Sequence, residues 1–452
     1  MPLTQEIGRF VAGLSFENVP PEAVAVARTG FIDTIATMIA GAHDPAPQIL
    51  RRGLAPAQGP ASLYFSGEGA PAPEAAWING TAGHALDYDD VGCRGHVSTV
   101  LVPAIIAEAE TLGPSGGLGG REMLAAYVAG YETWAELAER DPGHHHIKGW
   151  HPTGIFGAIG AAAAVARLRR LSPEQATMAL ALAASQAGGI MANFGTMTKP
   201  FHAGRAAHAG VVSARLAELG FTASPVALEH PQGFLSAVSP GGQADRETPA
   251  SGLGREWQIV RQGLSIKKYP ACYCTHRALD AMLDLLAKRP LQPAEIAKIT
   301  VEISKTHAVI LRNHRPQTGL EAKFSMEFAM AAALVSRRAG LGEYTDDFVR
   351  RAEVQAIMPK VAITTNEDYD EGQIGGSKWD QVRVELTNGE RLESEQVRRA
   401  RGHAELPLGE VELFDKFRAC LDAGRARIAP EALFDRLRRL EAVSARELTA
   451  VA

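Results

Sequence analysis

The sequence predicts a mainly α protein: a large all-helical domain, discontinuous in the chain, with a smaller α+β domain inserted near its C-terminal end. Three observations predict it. Apolar and small residues recur at helical spacing up to about residue 262. Strand-type alternation is confined to about residues 263–400. Helical spacing then returns and runs to the end. The domains accordingly read 1–262, 263–400 and 401–452, the first and last being two segments of one helical body.

The elements follow in order. Pro20–Pro21 opens a segment in which Val24, Ala27, Phe31, Ile35, Met38 and Ile39 recur at helical spacing. From Gly154 to Ala164 small residues line one face of a helix, so a neighbouring backbone can approach closely. Ser172-Pro-Glu-Gln175 is a capping box with proline at the first helical position. The longest apolar stretch, Met178–Gly195, carries Ser185, Gln186 and Asn193 and reads as a buried helix, not a membrane span. Beyond residue 262, Ile299, Val301 and Ile303 alternate with Thr300 and Glu302. Val382–Leu386 alternates too, and Asn388-Gly389 turns it into Glu390–Glu393 as a two-residue hairpin. Helical patterns at Thr275–Lys288 and Lys323–Arg338 lie between these strands. From Val411, Leu413, Phe417, Leu421, Leu433, Leu437 and Leu440 restore the helical period.

Composition narrows the function. The chain has 452 residues, a net charge of 46 − 51 = −5 and a pI near 6.3. No basic stripe is present, so nucleic acid is not an expected partner. Aromatics make up only 6%, which leaves the core to Ala, Leu, Val and Ile. Cys93, Cys272, Cys274 and Cys420 are too sparse for a disulfide framework and read as reduced thiols. The N-terminus shows no basic region followed by an apolar block. The expectation is a cytoplasmic protein with no membrane partner.

Polar and ionisable residues gather at five places. His84-Ala-Leu-Asp87-Tyr88-Asp89-Asp90, followed by His96, brings three carboxylates together; converging, they would raise one another's pKa and yield a general base. On a helix end Asp87 and Asp90 would share a face while Asp89 points away. A solvated acidic turn is the plainer reading. Gly143-His144-His145-His146, with His151 before Pro152, suggests metal, but consecutive histidines do not converge easily and no H-E-x-x-H follows. His151, just before a proline-started helix, is the better candidate for proton transfer, with its neighbours in an exposed loop. Lys199, His202 and Arg205 begin a helix, where the macrodipole disfavours cations, so a bound carboxylate is the better account of them. Lys267 and Lys268 stand at the change of texture as candidate anion clamps. Glu321-Ala-Lys323-Phe324-Ser325 starts a further helix. Neither a phosphate-binding G-x-x-x-x-G-K-[ST] loop nor a G-x-G-x-x-G turn occurs. Cofactor-free acid–base chemistry on an anionic substrate is what remains.

Several of these segments resemble the MmgE/PrpD family, whose members include 2-methylcitrate dehydratase, cis-aconitate decarboxylase and iminodisuccinate epimerase. The resemblance rests on Asn79-Gly-Thr-Ala-Gly-His-Ala-Leu-Asp-Tyr-Asp-Asp90, Trp150-His-Pro-Thr-Gly154, Lys199-Pro-Phe-His-Ala-Gly-Arg205, Lys267-Lys-Tyr-Pro270 and Leu320-Glu-Ala-Lys-Phe-Ser325. These occur in family order from Gly30-Phe-Ile-Asp33 to Asp415-Lys-Phe-Arg418. The resemblance implies a helical domain, a smaller α+β lid, a cleft between them, a homodimer, and neither metal nor organic cofactor. It places catalytic positions on Asp87, His96, His151, Lys199 and Lys267. His202, Arg205, Lys268 and Arg94 are the added candidates for binding a di- or tricarboxylate. Two departures stand out: Val91 where the family commonly has Thr, and Phe328 where it commonly has Tyr. The loss of two hydroxyls points to a different substrate. The simplest expectation is a hydro-lyase of the 2-methylcitrate dehydratase type. An epimerase, a decarboxylase and a non-catalytic polycarboxylate-binding homologue are the alternatives.

Overall fold

Prolines and capping side chains set where the helices begin. The computed structural model describes residues 1–113, 117–367 and 377–450. Its chain divides into two compact units, Met1–Ser265 with Gly409–Ala452, and Ile266–Leu408. In the first unit the longer helices are α1 (Leu3–Gly13), α2 (Pro21–Ala40), α3 (Pro45–Leu54), α4 (Ala72–Ala85) and α5 (Ser98–Ala109). They continue with α6 (Gly120–Glu139), α7 (Pro152–Leu168), α8 (Pro173–Ala184) and α9 (Thr198–Glu218). Four of them, α2, α3, α7 and α8, open on proline, whose missing N–H costs nothing there. The box before α8 closes both ways, Gln175 N–H to Ser172 Oγ at 3.2 Å and Ser172 N–H to Gln175 Oε1 at 3.0 Å.

Small residues decide how these helices cross. A Cβ on Gly204 of α9 would lie 2.1 Å from the Trp77 carbonyl oxygen of α4, and one on Gly80 of α4 would lie 2.9 Å from Gly204 Cα. The two backbones therefore touch. A similar crossing joins α6 to α7, where a Cβ on Gly130 would meet the Gly160 carbonyl oxygen at 2.8 Å. With so few aromatics, burial here comes from close backbone approach more than from bulky side chains. The stretch Pro21–His43 is long and apolar enough to cross a membrane, but 78% of its apolar 18-residue window is buried within the protein.

Two expectations need correction. The first unit is not all-helical: β1 (Ala61–Leu63) pairs antiparallel with β2 (Glu68–Ala70). Three residues are too few to show a period, and long-range polar contacts fix this hairpin. The Ser62 N–H donates to Glu110 at 2.7 Å, and Asn79 Nδ2 donates to the Ser62 carbonyl at 2.8 Å. The apolar run Met178–Gly195 is not one helix either. It ends at Ala184 and gives way to irregular chain in which Gly189 takes φ +125°.

The second unit holds the predicted strands. β3 (Ile296–Ser304) pairs antiparallel with β5 (Gln381–Leu386) and parallel with β4 (Val361–Asn366), which the sequence did not announce. β6 (Arg391–Glu393) completes the order β4-β3-β5-β6, joined to β5 through Asn388-Gly389 with Gly389 at φ +87°. Ile299, Val301, Ile303, Val382 and Val384 are buried, as their alternation requires. Helices α10 (His276–Lys288) and α11 (Met326–Ser336) belong to this unit. Its limits are 266 and 408, displaced from 263 and 400 by identifiable bonds. Ser265 pairs with Val91 of the first unit, while Arg401 N–H donates to Asp280 of α10 at 2.7 Å. The returning segment supplies α12 (Glu410–Ala423) and α13 (Pro430–Arg438) to the first unit.

Candidate active site

The end of α4 creates the site. His84 lies in its last turn, and after Leu86 the chain enters the left-handed region at Asp87, φ +50°. Aspartate tolerates that conformation better than most residues, so the helix stops there and the chain folds back on His84. Asp89 then points inward, accepting from His84 Nδ1 at 2.9 Å, with His96 Nδ1 at 3.0 Å from its other oxygen. The next turn is a tight two-residue reversal, Gly92 N–H to Gly95 O and back at 2.9 and 2.8 Å. Both central residues, Cys93 and Arg94, have positive φ. That reversal delivers His96, whose N–H is held by Thr153 Oγ1 at 3.1 Å.

Two helix starts complete the cluster. Lys199, second residue of α9, places Nζ 2.8 Å from Asp87 Oδ1 and 2.8 Å from His84 Nε2. The α4–α9 contact at Gly80 and Gly204 lets that side chain reach across. His151 precedes Pro152 at the start of α7, with its Nδ1 3.1 Å from His202 Nδ1. Its ring lies 5.9 Å from that of His84 and nearly parallel to it. Phe194 closes the cluster, 4.8 Å from the His151 ring and beneath Lys199 at 5.4 Å.

These contacts fix protonation states. An ammonium can only donate, so His84 Nε2 accepts from Lys199 and the ring proton sits on Nδ1, facing Asp89. Burial, outweighing the pull of Asp89, holds the His84 pKa down to about 3. His151 is pushed well below its usual value by burial and by Lys199, and His202 is lowered to about 4 by burial and by His84. Burial would raise Asp89, but the imidazoles of His84 and His96 outweigh it and keep it ionised. The product is a hydrogen-bonded chain, Lys199–His84–Asp89–His96, beside a neutral imidazole pair, His151–His202. His96 is its most exposed imidazole, with 13% of its side chain accessible.

Asp87, His96, His151, Lys199 and His202 thus meet in the first unit. Asp89 and His84 join them, and the sequence reading had not selected either. Asp89 was expected to point away with Asp87 and Asp90 on one face; the left-handed turn at Asp87 reverses this. Asp90 instead goes to Ser98, whose N–H reaches Oδ1 at 3.3 Å, and burial together with Asp33 raises its pKa to about 8. Arg94 lies outside the cluster, donating to the Asp141 carbonyl at 2.7 Å. Arg205 lies on His208 Nδ1 at 2.7 Å and, with His202, lines a cavity of about 310 Å³. Lys267 and Lys268 belong to the second unit, where Lys268 lines a cavity of about 710 Å³ with Arg337, Arg338 and Arg401. Phe328 is fully buried in that unit against Tyr344 and Phe348. His145, expected in an exposed loop, is buried edge-on against Phe156.

One donor per residue from His84, Asp87, Asp89 and His96 falls within 4.8 Å of the others, a set that a metal ion would accept by distance alone. The residues fit an ion poorly. The Lys199 ammonium already occupies the place of a cation between Asp87 and His84, and a divalent ion beside it would meet like charge. The histidines at 145, 146 and 151 do not converge: His145 faces Phe156, His146 faces Phe194, and His151 faces His202.

A helical body carrying a buried lysine–histidine–carboxylate relay, interrupted by an α+β unit, defines the class. Comparison with known families agrees: the MmgE/PrpD N-terminal domain matches residues 5–247 and the MmgE/PrpD C-terminal domain residues 269–433. The chain belongs to the MmgE/PrpD family. Among its relatives, cis-aconitate decarboxylase of Homo sapiens is 29% identical over 358 residues, covering 77% of this chain and 72% of that protein. Cis-aconitate decarboxylase of Mus musculus is 28% identical, covering 82% and 76%. The Aspergillus terreus protein of the same name is 26% identical over 438 residues, covering 92% and 88%.

Proposed function

We propose that this protein is a lyase acting on a small di- or tricarboxylate by moving a proton at the carbon next to a carboxylate. The observation that carries the reading is the buried Lys199 ammonium at the head of the Asp89-anchored relay. A cation in that position stabilises enediolate-like charge as it develops on the substrate. Neutral His151 accepts the proton, and His202 beside it shares the resulting charge. The Asp89-anchored His96 is the second proton-transfer group.

Two proton-transfer groups suit a hydro-lyase. The C–H proton goes to His151, the electron pair forms the double bond, and hydroxide leaves as water with a proton from His96. Decarboxylation is the second reading, favoured by the three relatives that are cis-aconitate decarboxylases. There the C–C bond breaks, CO2 departs, and the electron pair left on carbon takes a proton from the relay. The test is incubation with cis-aconitate and with citrate-type hydroxy acids in heavy water, followed by proton NMR and CO2 capture. Alkene formation from a hydroxy acid supports the hydro-lyase, and CO2 release supports the decarboxylase. Deuterium exchange with neither product would replace both with an epimerase. Binding without any exchange would leave a non-catalytic polycarboxylate-binding protein.

A further inference from the structure

The residue between the two carboxylates of the site is itself held from a distant part of the chain. Tyr88 separates Asp87, which meets Lys199, from Asp89, which meets His84 and His96. Lys416, on α12 of the returning segment, donates to the Tyr88 carbonyl at 2.8 Å and lies over the Tyr88 ring at 4.1 Å. Its ammonium is buried and pairs at 2.5 Å with Asp33, in the middle of the buried helix α2. A buried lysine is expensive unless every contact is well made, and replacing such a pair by apolar groups is often neutral or stabilising. Stability alone therefore does not account for it.

We propose that Lys416 is a positioning residue for the proton relay. By gripping Tyr88 at both carbonyl and ring, it fixes the Tyr88–Asp89 peptide plane and the place of the Tyr88 side chain, and so sets where the flanking Asp87 and Asp89 present their oxygens. Asp33 anchors the ammonium, and the left-handed Asp87 gives the loop no helix to hold it otherwise. This rests on the reading of Asp87 and Asp89 as members of the active site.

The experiment compares the parent with Lys416→Met and with the double variant Asp33→Asn/Lys416→Met. The double variant leaves no buried unpaired charge, so it separates positioning from stability. Two readouts are taken on folded protein: the imidazole N–H resonances of His84 and His96 facing Asp89, and turnover of the polycarboxylate found active. Both variants are expected to shift those resonances and to lower kcat by about 10²-fold, the scale for roughly 1 Å of misplacement. A folded double variant with parental resonances and kcat within about three-fold of the parent overturns the proposal. Should the double variant not fold, Lys416→Arg carries the test. It keeps a charge opposite Asp33 but its planar fork presents different donors to Tyr88, and parental values there overturn the proposal equally. If no polycarboxylate is turned over, the lyase reading fails by itself, while the imidazole resonances still decide the role of Lys416.

Discussion

Replacing Asp89 by Asn tests the relay at the point where its logic is tightest. The carboxylate receives His84 Nδ1–H at 2.9 Å, with His96 Nδ1 at 3.0 Å from its second oxygen. An amide offers one acceptor oxygen and one donor nitrogen. It can therefore satisfy one imidazole, while its NH₂ faces the other and forces that ring to the opposite tautomer. His84 cannot switch, because its Nε2 is committed to accepting from Lys199 at 2.8 Å. His96 must flip, which moves its proton to Nε2 and removes the carboxylate that would support an imidazolium. A hydrogen bond to an ionised group is worth about 1.5–3 kcal/mol, or roughly 10–10²-fold for one bond lost. Loss of the acid–base function itself extends the range to about 10²–10⁴-fold in turnover. The assay is steady-state turnover of the active polycarboxylate alongside imidazole NMR, with circular dichroism to confirm the fold. A folded Asp89→Asn protein within about three-fold of parental kcat would refute the relay.

Acid should destabilise the first unit. The folded His84 pKa of about 3 lies below its ordinary 6.5, so its stabilisation is complete above pH 6.5 and is lost as pH falls toward 3. That difference corresponds to about 5 kcal/mol over the window. The opposite sign holds for Asp90: with its pKa raised from 3.8 to about 8, its contribution is complete below pH 3.8 and is lost as pH rises from there through 8, so the two slopes oppose each other up to pH 6.5. In Asp90→Asn protein, which lacks the opposing titration, denaturant unfolding between pH 7 and pH 5 should show the onset; a flat profile there would contradict a neutral buried His84. Asp90→Asn should therefore steepen the loss of stability between pH 7 and pH 5 relative to the parent, and an unchanged slope would count against a protonated Asp90. Gly204→Ala should cost about 1–3 kcal/mol in unfolding free energy, because a methyl 2.1 Å from a backbone oxygen has no rotamer to escape through. Parental stability and turnover in that variant would show that the α4–α9 crossing is looser than its geometry.

What was legible in the sequence was local. The Ser172–Gln175 box, the prolines opening helices and the Asn388-Gly389 turn each act within four residues, so their chemistry is readable without knowing the fold. The alternation in β3 and β5 was readable for the same reason, and β1, β2 and the continuation past Ala184 were not. The short hairpin owes its place to Glu110 and Asn79, and the break after α8 to glycines. In the site, motif residues pointed to the segments and to Asp87 but did not single out Asp89 beside it. A helical-face argument needs helical φ, and one left-handed residue at Asp87 exchanged the directions of Asp89 and Asp90. A signal for His84 did exist: it stands four residues after Gly80 on one face of α4, and that face meets α9.

The glycine crossings and the buried charges are two halves of one energetic arrangement. Lys199 and Asp87 are each about 5% exposed or less, and taking an ammonium and a carboxylate out of water costs several kcal/mol per ion. Only short, well-directed contacts recover that cost, and those contacts come from two different helices. The helices must then approach until their backbones touch, which Gly80 and Gly204 allow and no larger residue would. A bulkier core would hold α4 and α9 farther apart, where Lys199 Nζ could not reach both Asp87 and His84 at 2.8 Å. An Ala- and Gly-rich, aromatic-poor composition permits such crossings, and on the function proposed above an ammonium held in so dry a place would interact with a substrate carboxylate more strongly than a solvated one.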